Sequence, residues 1–392
     1  MNNTANRGRL NYLPVCLLIL GLIVSALLIA GMILLGNVFA GAGYLHMLER
    51  LPAPDAWLRW VIGDISEVAF YKHELASLGL LAGAGLAHWA HRRGKAWQGF
   101  AICYGSGLWP WLIGSSLLGL LLSNLLWGWS VPRYGWQPTF AAFVSVPAAT
   151  VLLFGAGARI ALSGAVMGAL LVTPLCLLIV NFVCNPLHLP AVIGNVLGMA
   201  IGSVIAFTLY RRWPALVKPE PPVAAAPAPA PQAGNHGLIW GMRRVLADFS
   251  EAPFFGNEWA SLGLLLGVVL AYALNPAGPA YGSDLLLPIL AAQTLASAIG
   301  VLIWRRRWMA RGWYPTYIPI VSVAPAAVLA HGGDALVVVT CALLGALIAP
   351  PLAVALSRRI PGHMHPYIGN VLSMALSTAL IVPLIGWLIR SF

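Results

Sequence analysis

Apolar residues in this chain come in long uninterrupted blocks, separated by short polar or basic clusters. They do not recur on one helical face, and they do not alternate as they would in an outer-membrane barrel strand. Blocks of about 18 or more apolar residues have the length of a membrane-crossing helix. The pattern predicts spans at about 11–39, 66–89, 107–130, 136–157, 160–183 and 190–210, and again at 251–273, 284–304, 314–331, 335–357 and 367–388. Arg7 and Arg9 precede the first block, which is longer than the apolar core of a signal peptide and is read as an uncleaved first helix.

The second group of spans copies the first. DISEVAFYKHELASLGLL at 64–81 returns as DFSEAPFFGNEWASLGLL at 248–265, with 11 of 18 positions identical. In the same order Tyr104-Gly105-Ser106 returns as Tyr281-Gly282-Ser283, Gly135-Trp136 as Gly312-Trp313, Val144-Ser145-Val146 as Val321-Ser322-Val323, and Ile193-Gly194-Asn195 as Ile368-Gly369-Asn370. Self-similarity over such a length is the mark of an internal repeat. The expected organisation is an N-terminal helix with a periplasmic loop (1–60), a first five-helix repeat (61–213), a Pro/Ala-rich cytoplasmic linker (214–236) and a second five-helix repeat (237–392).

Charge then orients the spans. Cytoplasmic loops are enriched in Lys and Arg. With the N-terminus inside, His91-Arg92-Arg93-Gly94-Lys95, Arg211-Arg212, Arg243-Arg244, Arg305-Arg306-Arg307 and Arg358-Arg359 all fall on the cytoplasmic side. Equivalent loops of the two copies exchange their basic character, and an odd number of spans per copy requires the second to be inverted. The fold class is therefore an all-α polytopic membrane protein of about 11 transmembrane helices, one N-terminal helix plus two inverted five-helix repeats. Trp127, Trp129, Trp136, Trp304, Trp308 and Trp313 lie near span ends and are expected in the headgroup layer.

Composition narrows the function classes. The chain of 392 residues is 60% hydrophobic and 8% charged, against roughly 25% charged in soluble domains. Its net charge of +11 sits in the loop clusters and suits lipid headgroups, so membrane lipids are expected partners and nucleic acid is not. The five cysteines form no C-x-x-C pair and no zinc spacing. No nucleotide, metal or hydrolase motif occurs, and neither cofactor nor metal is expected.

Six of the eleven acidic residues belong to the repeated motif: Asp64, Glu67, Glu74, Asp248, Glu251 and Glu258. An ionised carboxylate in hydrocarbon costs on the order of 3 kcal/mol, so two matched sets call for a reason. On one continuous helix, Glu67 and Glu74 would share a face with Asp64 one turn earlier. Glu74 and Glu258, expected deep in their helices, are the first candidates to bind a coupling proton or sodium ion. Glu67, Glu251, Asn195 and Asn370 are expected to line the route, with His188 and His363 (or neighbouring His365) as relay candidates. The competing structural reading has the acids capping helices or pairing with Lys72 or Arg59. Pro138, Pro147, Pro315, Pro319 and Pro325 predict broken helices, and Tyr-Gly-Ser another break.

Secondary transporters place solute and coupling ion between inverted repeats. The expectation is an ion- or proton-coupled secondary transporter of a small solute across the bacterial inner membrane, not an enzyme, with a homodimer as a candidate assembly. The alternatives are a membrane-embedded enzyme on lipid or polyprenyl substrates, and a channel or noncatalytic subunit of an inner-membrane complex.

Overall fold

The computed structural model describes residues 43–218 and 237–391. The expected first span at 11–39 and most of the Pro/Ala-rich linker lie outside them. Among the described residues the chain is all-helical, and six helices are long and apolar enough to cross a membrane. These are α4 (Trp109–Trp127), α7 (Ala158–Cys184), α8 (Ala191–Arg212), α11 (Leu286–Arg311), α13 (Ala335–Ser357) and α14 (Tyr367–Ser391). The protein is consistent with a helical membrane protein. Leucines such as Leu125, Leu178, Leu266 and Leu302 stay exposed, as helices whose solvent is lipid require.

The other helices are shorter. α1 (Tyr44–Arg50) and α2 (Pro54–Glu67) lead into α3 (Glu74–Arg92); α5 (Ser130–Tyr134) and α6 (Val146–Phe154) follow α4. In the second half, α9 (Leu238–Asp248) and α10 (Glu258–Leu274) occupy the places of α2 and α3, and α12 (Val323–His331) that of α6.

The acidic motif does not form one helix. α2 stops at Glu67, and the backbone turns through left-handed Phe70 and Lys72 before α3 begins at Glu74. The second copy turns through Phe254 and Gly256 in the same way. The expected shared helical face of Asp64, Glu67 and Glu74 is therefore corrected: the first two lie on one helix, and Glu74 is the first residue of the next. A serine bridges each break. Ser66 Oγ donates to His73 O and accepts from His73 N, and Ser250 treats Asn257 identically, so the freed backbone groups stay satisfied without water. His73 and Asn257 then cap the new helices, whose N-terminal dipoles favour the Glu that follows.

α3 and α10 form the tightest helix pair. A Cβ on Gly79 would lie 2.0 Å from Gly263 O, and one on Gly263 2.0 Å from Gly79 O. Gly83 meets Trp259 O, and Gly267 meets Leu75 O. Following one helix forwards meets the other backwards, so the pair is antiparallel and centred on Gly79 and Gly263. Small residues at the crossing let the backbones touch, the usual basis of helix association in lipid.

The flanking loops are exchanged across this pair. Cys103 N donates to Phe255 O at 3.2 Å, and Ala280 N to Tyr71 O at 2.8 Å. The proline-associated breaks are present: short 3-10 turns at Thr139–Ala142 and Ile318–Val321 precede α6 and α12, with Ser145 and Ser322 out of helical geometry. The Tyr-Gly-Ser segments break too, through left-handed Cys103, Tyr104, Ala280 and Tyr281.

Candidate binding cavity and buried charge clusters

Each half of the molecule buries a polar cluster at its helix break. In the first, Asp64 is fully buried and accepts from Lys72 Nζ, from Asn124 Nδ2 at 2.8 Å and from Thr139 Oγ1 at 2.7 Å. Glu67 pairs with the same Lys72 at 2.7 Å and accepts from Trp136 Nε1. In the second, Arg244 bridges Asp248 at 3.0 Å and Glu251 at 2.7 Å. Ser297 Oγ donates to Asp248, and Trp313 Nε1 to Glu251, each at 2.8 Å.

The clusters match in function but not in residue source. Aligning the copies puts Trp60 opposite Arg244, and Lys72 opposite Gly256. In the first cluster the cation arises from the loop and lies over the Trp60 ring, 3.4 Å from its centroid. In the second it arises from the helix, and Gly256 leaves the room: a Cβ there would lie 2.4 Å from the Glu251 carboxylate. The lost indole is restored by Trp308, which donates to Thr316 as Trp60 does to Thr139. Each cluster thus holds two carboxylates against one cation. Taking an unpaired charge out of water is expensive, so such a cluster favours gaining one more positive charge.

Glu74 and Glu258 are placed otherwise than expected. Arg59 Nε holds Glu74 Oε1 at 2.8 Å, and Arg243 Nε holds Glu258 Oε1 at 2.8 Å. Phe100 N also donates to Glu258, at 2.6 Å. Both acids sit at helix starts with a dedicated arginine, as in the structural reading, and neither borders the cavity described next. Arg243 and Arg244, read in sequence as loop charges, are therefore counter-ions, Arg244 a buried one. Several tryptophans expected in the headgroup layer spend their N–H inside the protein: Trp127 on Ala169 O, Trp304 on Ala346 O, and Trp136 and Trp313 on the two glutamates.

A cavity of about 960 Å³ lies between α8 and α14. Equivalent residues of the two copies both line it: Phe70 and Phe254, Val144 and Val321, Val196 and Val371, Met199 and Met374. It reaches the α7–α8 loop at His188 and Pro190 and the end of α14 at Arg390. Among the sequence candidates, Glu67, Asn195 and His188 line it. Glu74, Glu251, Glu258, Asn370 and His363 do not. His365 is half-buried against Phe254 and Tyr367, and desolvation there pushes its imidazole down to about 4, so it is uncharged near neutral pH.

The two ends of the cavity differ. Asn370 donates to Tyr317 OH at 3.1 Å and accepts from Ser357 Oγ at 3.3 Å. For its counterpart Asn195, the residue equivalent to Tyr317 is Phe140, which has no hydroxyl, and the Asn195 Oδ1 is without a partner. Ser203 and Tyr367 share a hydrogen bond between α8 and α14. At the equivalent pair, Thr378 and Val192, there is none, and Thr378 Oγ1 is unpartnered. The second-copy tyrosines thus fasten one end, and the first copy lacks the hydroxyls to fasten the other. Neither tyrosine stood out in the sequence; comparing the copies position by position for residues that differ would have exposed both. Among the described residues no group of three or more His, Cys, Asp or Glu could hold a metal ion. Comparison with known protein families, with curated proteins and with solved structures found no match for this chain.

Proposed function

We propose that the protein is an ion- or proton-coupled secondary transporter of a small solute, working in the bacterial inner membrane with its N-terminus in the cytoplasm. The reading takes eleven spans, one N-terminal and five in each of two inverted copies. The antiparallel crossing of α3 and α10 supports the inversion, because a two-fold axis through Gly79 and Gly263 lies in the membrane plane when both helices stand upright. Inverted repeats around a central site are the geometry from which alternating access arises.

The observation that carries the proposal is the one-sided cavity. Equivalent residues of both copies line its centre, yet Glu67 and Asn195 border it while Glu251 and Asn370 do not. Exchanging the conformations of the two copies closes the first pair off and opens the second. In the proposed topology the present state faces outward, since the α7–α8 loop and the end of α14 lie on the periplasmic side. The coupling charge is carried by the excess carboxylate of each cluster, Glu67 in one state and Glu251 in the other. Glu74 and Glu258, each neutralised by its arginine, serve to anchor the helix starts.

The test is reciprocal accessibility. Single cysteines replacing Asn195 or Asn370, in a chain otherwise free of cysteine, are probed in oriented proteoliposomes with a membrane-impermeant maleimide. The expected result is labelling of position 195 from outside and of position 370 from inside, with one rising as the other falls when a proton or sodium gradient is imposed. Labelling of both positions from the same side, or from both sides at once, favours a channel and overturns the reading.

A further inference from the structure

The cavity carries information about its occupant. We infer that it receives an amphipathic organic cation, with an ammonium head seated at Glu67, an apolar body, and a hydrogen-bond donor at its far end that meets Asn195. The inference rests on the transport reading and names the substrate class for the same site.

Three features converge on the head. Glu67 brings to the cavity wall a cluster with one carboxylate more than it has cations, because Asp64 shares Lys72 with it. Around it stand Tyr44, Trp136 and Tyr281, all on the cavity wall. The Tyr281 ring is edge-on to Trp136 at 6.3 Å and to Tyr44 at 5.9 Å. Aromatic faces grouped about a carboxylate form the arrangement that takes up ammonium groups, through charge and cation–π attraction together. Tyr44 OH is buried, 4% of the residue remaining exposed, and has no hydrogen-bond partner. It can accept an ammonium N–H. The second cluster has Tyr104, contributed by the first copy's exchanged loop, and Trp313 near Glu251, but Tyr44 precedes the repeat and has no counterpart there.

Asn195 supplies the second requirement. It is 4% exposed, lies on the cavity wall, and its Oδ1 is an acceptor without a donor. Buried acceptors are nearly always satisfied, so one left open on a cavity wall calls for a donor brought by a ligand. At the head position an anion meets the Glu67 carboxylate and is rejected. A neutral apolar molecule leaves both Glu67 and Asn195 unsatisfied. The intervening wall of Val196, Met199 and Met374 suits an apolar body, and methionine adapts to more than one shape. The volume fits a molecule of drug-like size.

The experiment uses the full chain in lipid nanodiscs and a matched series of probes: tyramine, 2-(4-hydroxyphenyl)ethanol and 3-(4-hydroxyphenyl)propanoate, which share a phenol body whose O–H is the donor for Asn195 and carry a cationic, neutral or anionic head. Binding is read by intrinsic tryptophan fluorescence and by thermal shift at neutral pH. The expected result is saturable binding of tyramine, at least roughly tenfold tighter than of the neutral alcohol, and no binding of the carboxylate. Glu67→Gln removes the preference for the amine. Asn195→Leu weakens binding of the amine several-fold, and exposed Asp334→Asn does not change it. Equal binding of amine and alcohol by the wild-type protein overturns the inference without recourse to any variant. So does unchanged amine affinity in a folded Glu67→Gln protein. If the cavity responds to protons alone, this inference falls while reciprocal accessibility at positions 195 and 370 still stands, so the two failures are told apart.

Discussion

Replacing Gly79 with alanine tests the antiparallel helix pair on which the architecture turns. The new Cβ would stand 2.0 Å from Gly263 O and 2.7 Å from its carbonyl carbon, where ordinary contact begins at 3.4 Å. The obstacle is backbone, so no side chain can rotate away, and α3 and α10 must part by more than an ångström along their shared crossing. Overpacking of a close-packed core costs up to about 3 kcal/mol, and here the cost falls at the upper end because the contact is main chain to main chain. That loss is expected to lower the unfolding midpoint in detergent by on the order of 5 °C. Gly263→Ala should produce a loss of similar size, because it builds the two-fold-related clash, whereas Gly114→Ala, with nothing within 4 Å, should leave the midpoint unchanged. The assay is thermal unfolding followed by tryptophan fluorescence, with size-exclusion chromatography to confirm the folded starting state. A Gly79→Ala protein as stable as wild type, or a large difference between the Gly79 and Gly263 variants, would refute the closely packed two-fold crossing.

Three other expectations follow from particular contacts. Tyr367→Phe removes the hydroxyl that joins Ser203 and should shift the balance between outward- and inward-facing states about fivefold toward inward, read as increased maleimide labelling of a cysteine at position 370; unchanged labelling would mean that this bond does not hold the closed end. Arg244→Met strands Asp248 and Glu251 without their cation and should destabilise the protein by about 3–5 kcal/mol, visible as loss of monodisperse protein, whereas adding Gly256→Lys and Trp308→Val to Arg244→Trp rebuilds the first copy's arrangement and should restore it. Cysteines replacing Lys95 and Arg306 should both react with an impermeant reagent only from the cytoplasmic side; labelling from opposite sides would defeat the inverted topology.

Much of this protein follows from local rules that a sequence states outright. Long apolar blocks must become helices in lipid, since every backbone group needs a partner within its own segment. Pro138, Pro147, Pro315 and Pro319 interrupt that pairing, so the breaks near Ser145 and Ser322 were legible. The copied acidic motif was legible as well, because identity needs no geometry to be seen. Its shape was not. Nothing in 64–74 forbids a continuous helix except the left-handed turn at Phe70 and Lys72, which Ser66 holds through contacts beyond the reach of periodicity. The partners of the acids were hidden for a similar reason: Arg244 reads as a loop charge and Trp136 as a headgroup anchor until folding brings them within hydrogen-bond distance of Glu251 and Glu67. Asn195 and Asn370 are indistinguishable in sequence. Only the packed structure shows that a tyrosine hydroxyl holds Asn370, while Asn195, in the copy that has phenylalanine at the equivalent position, lies on the cavity wall with its Oδ1 unpartnered.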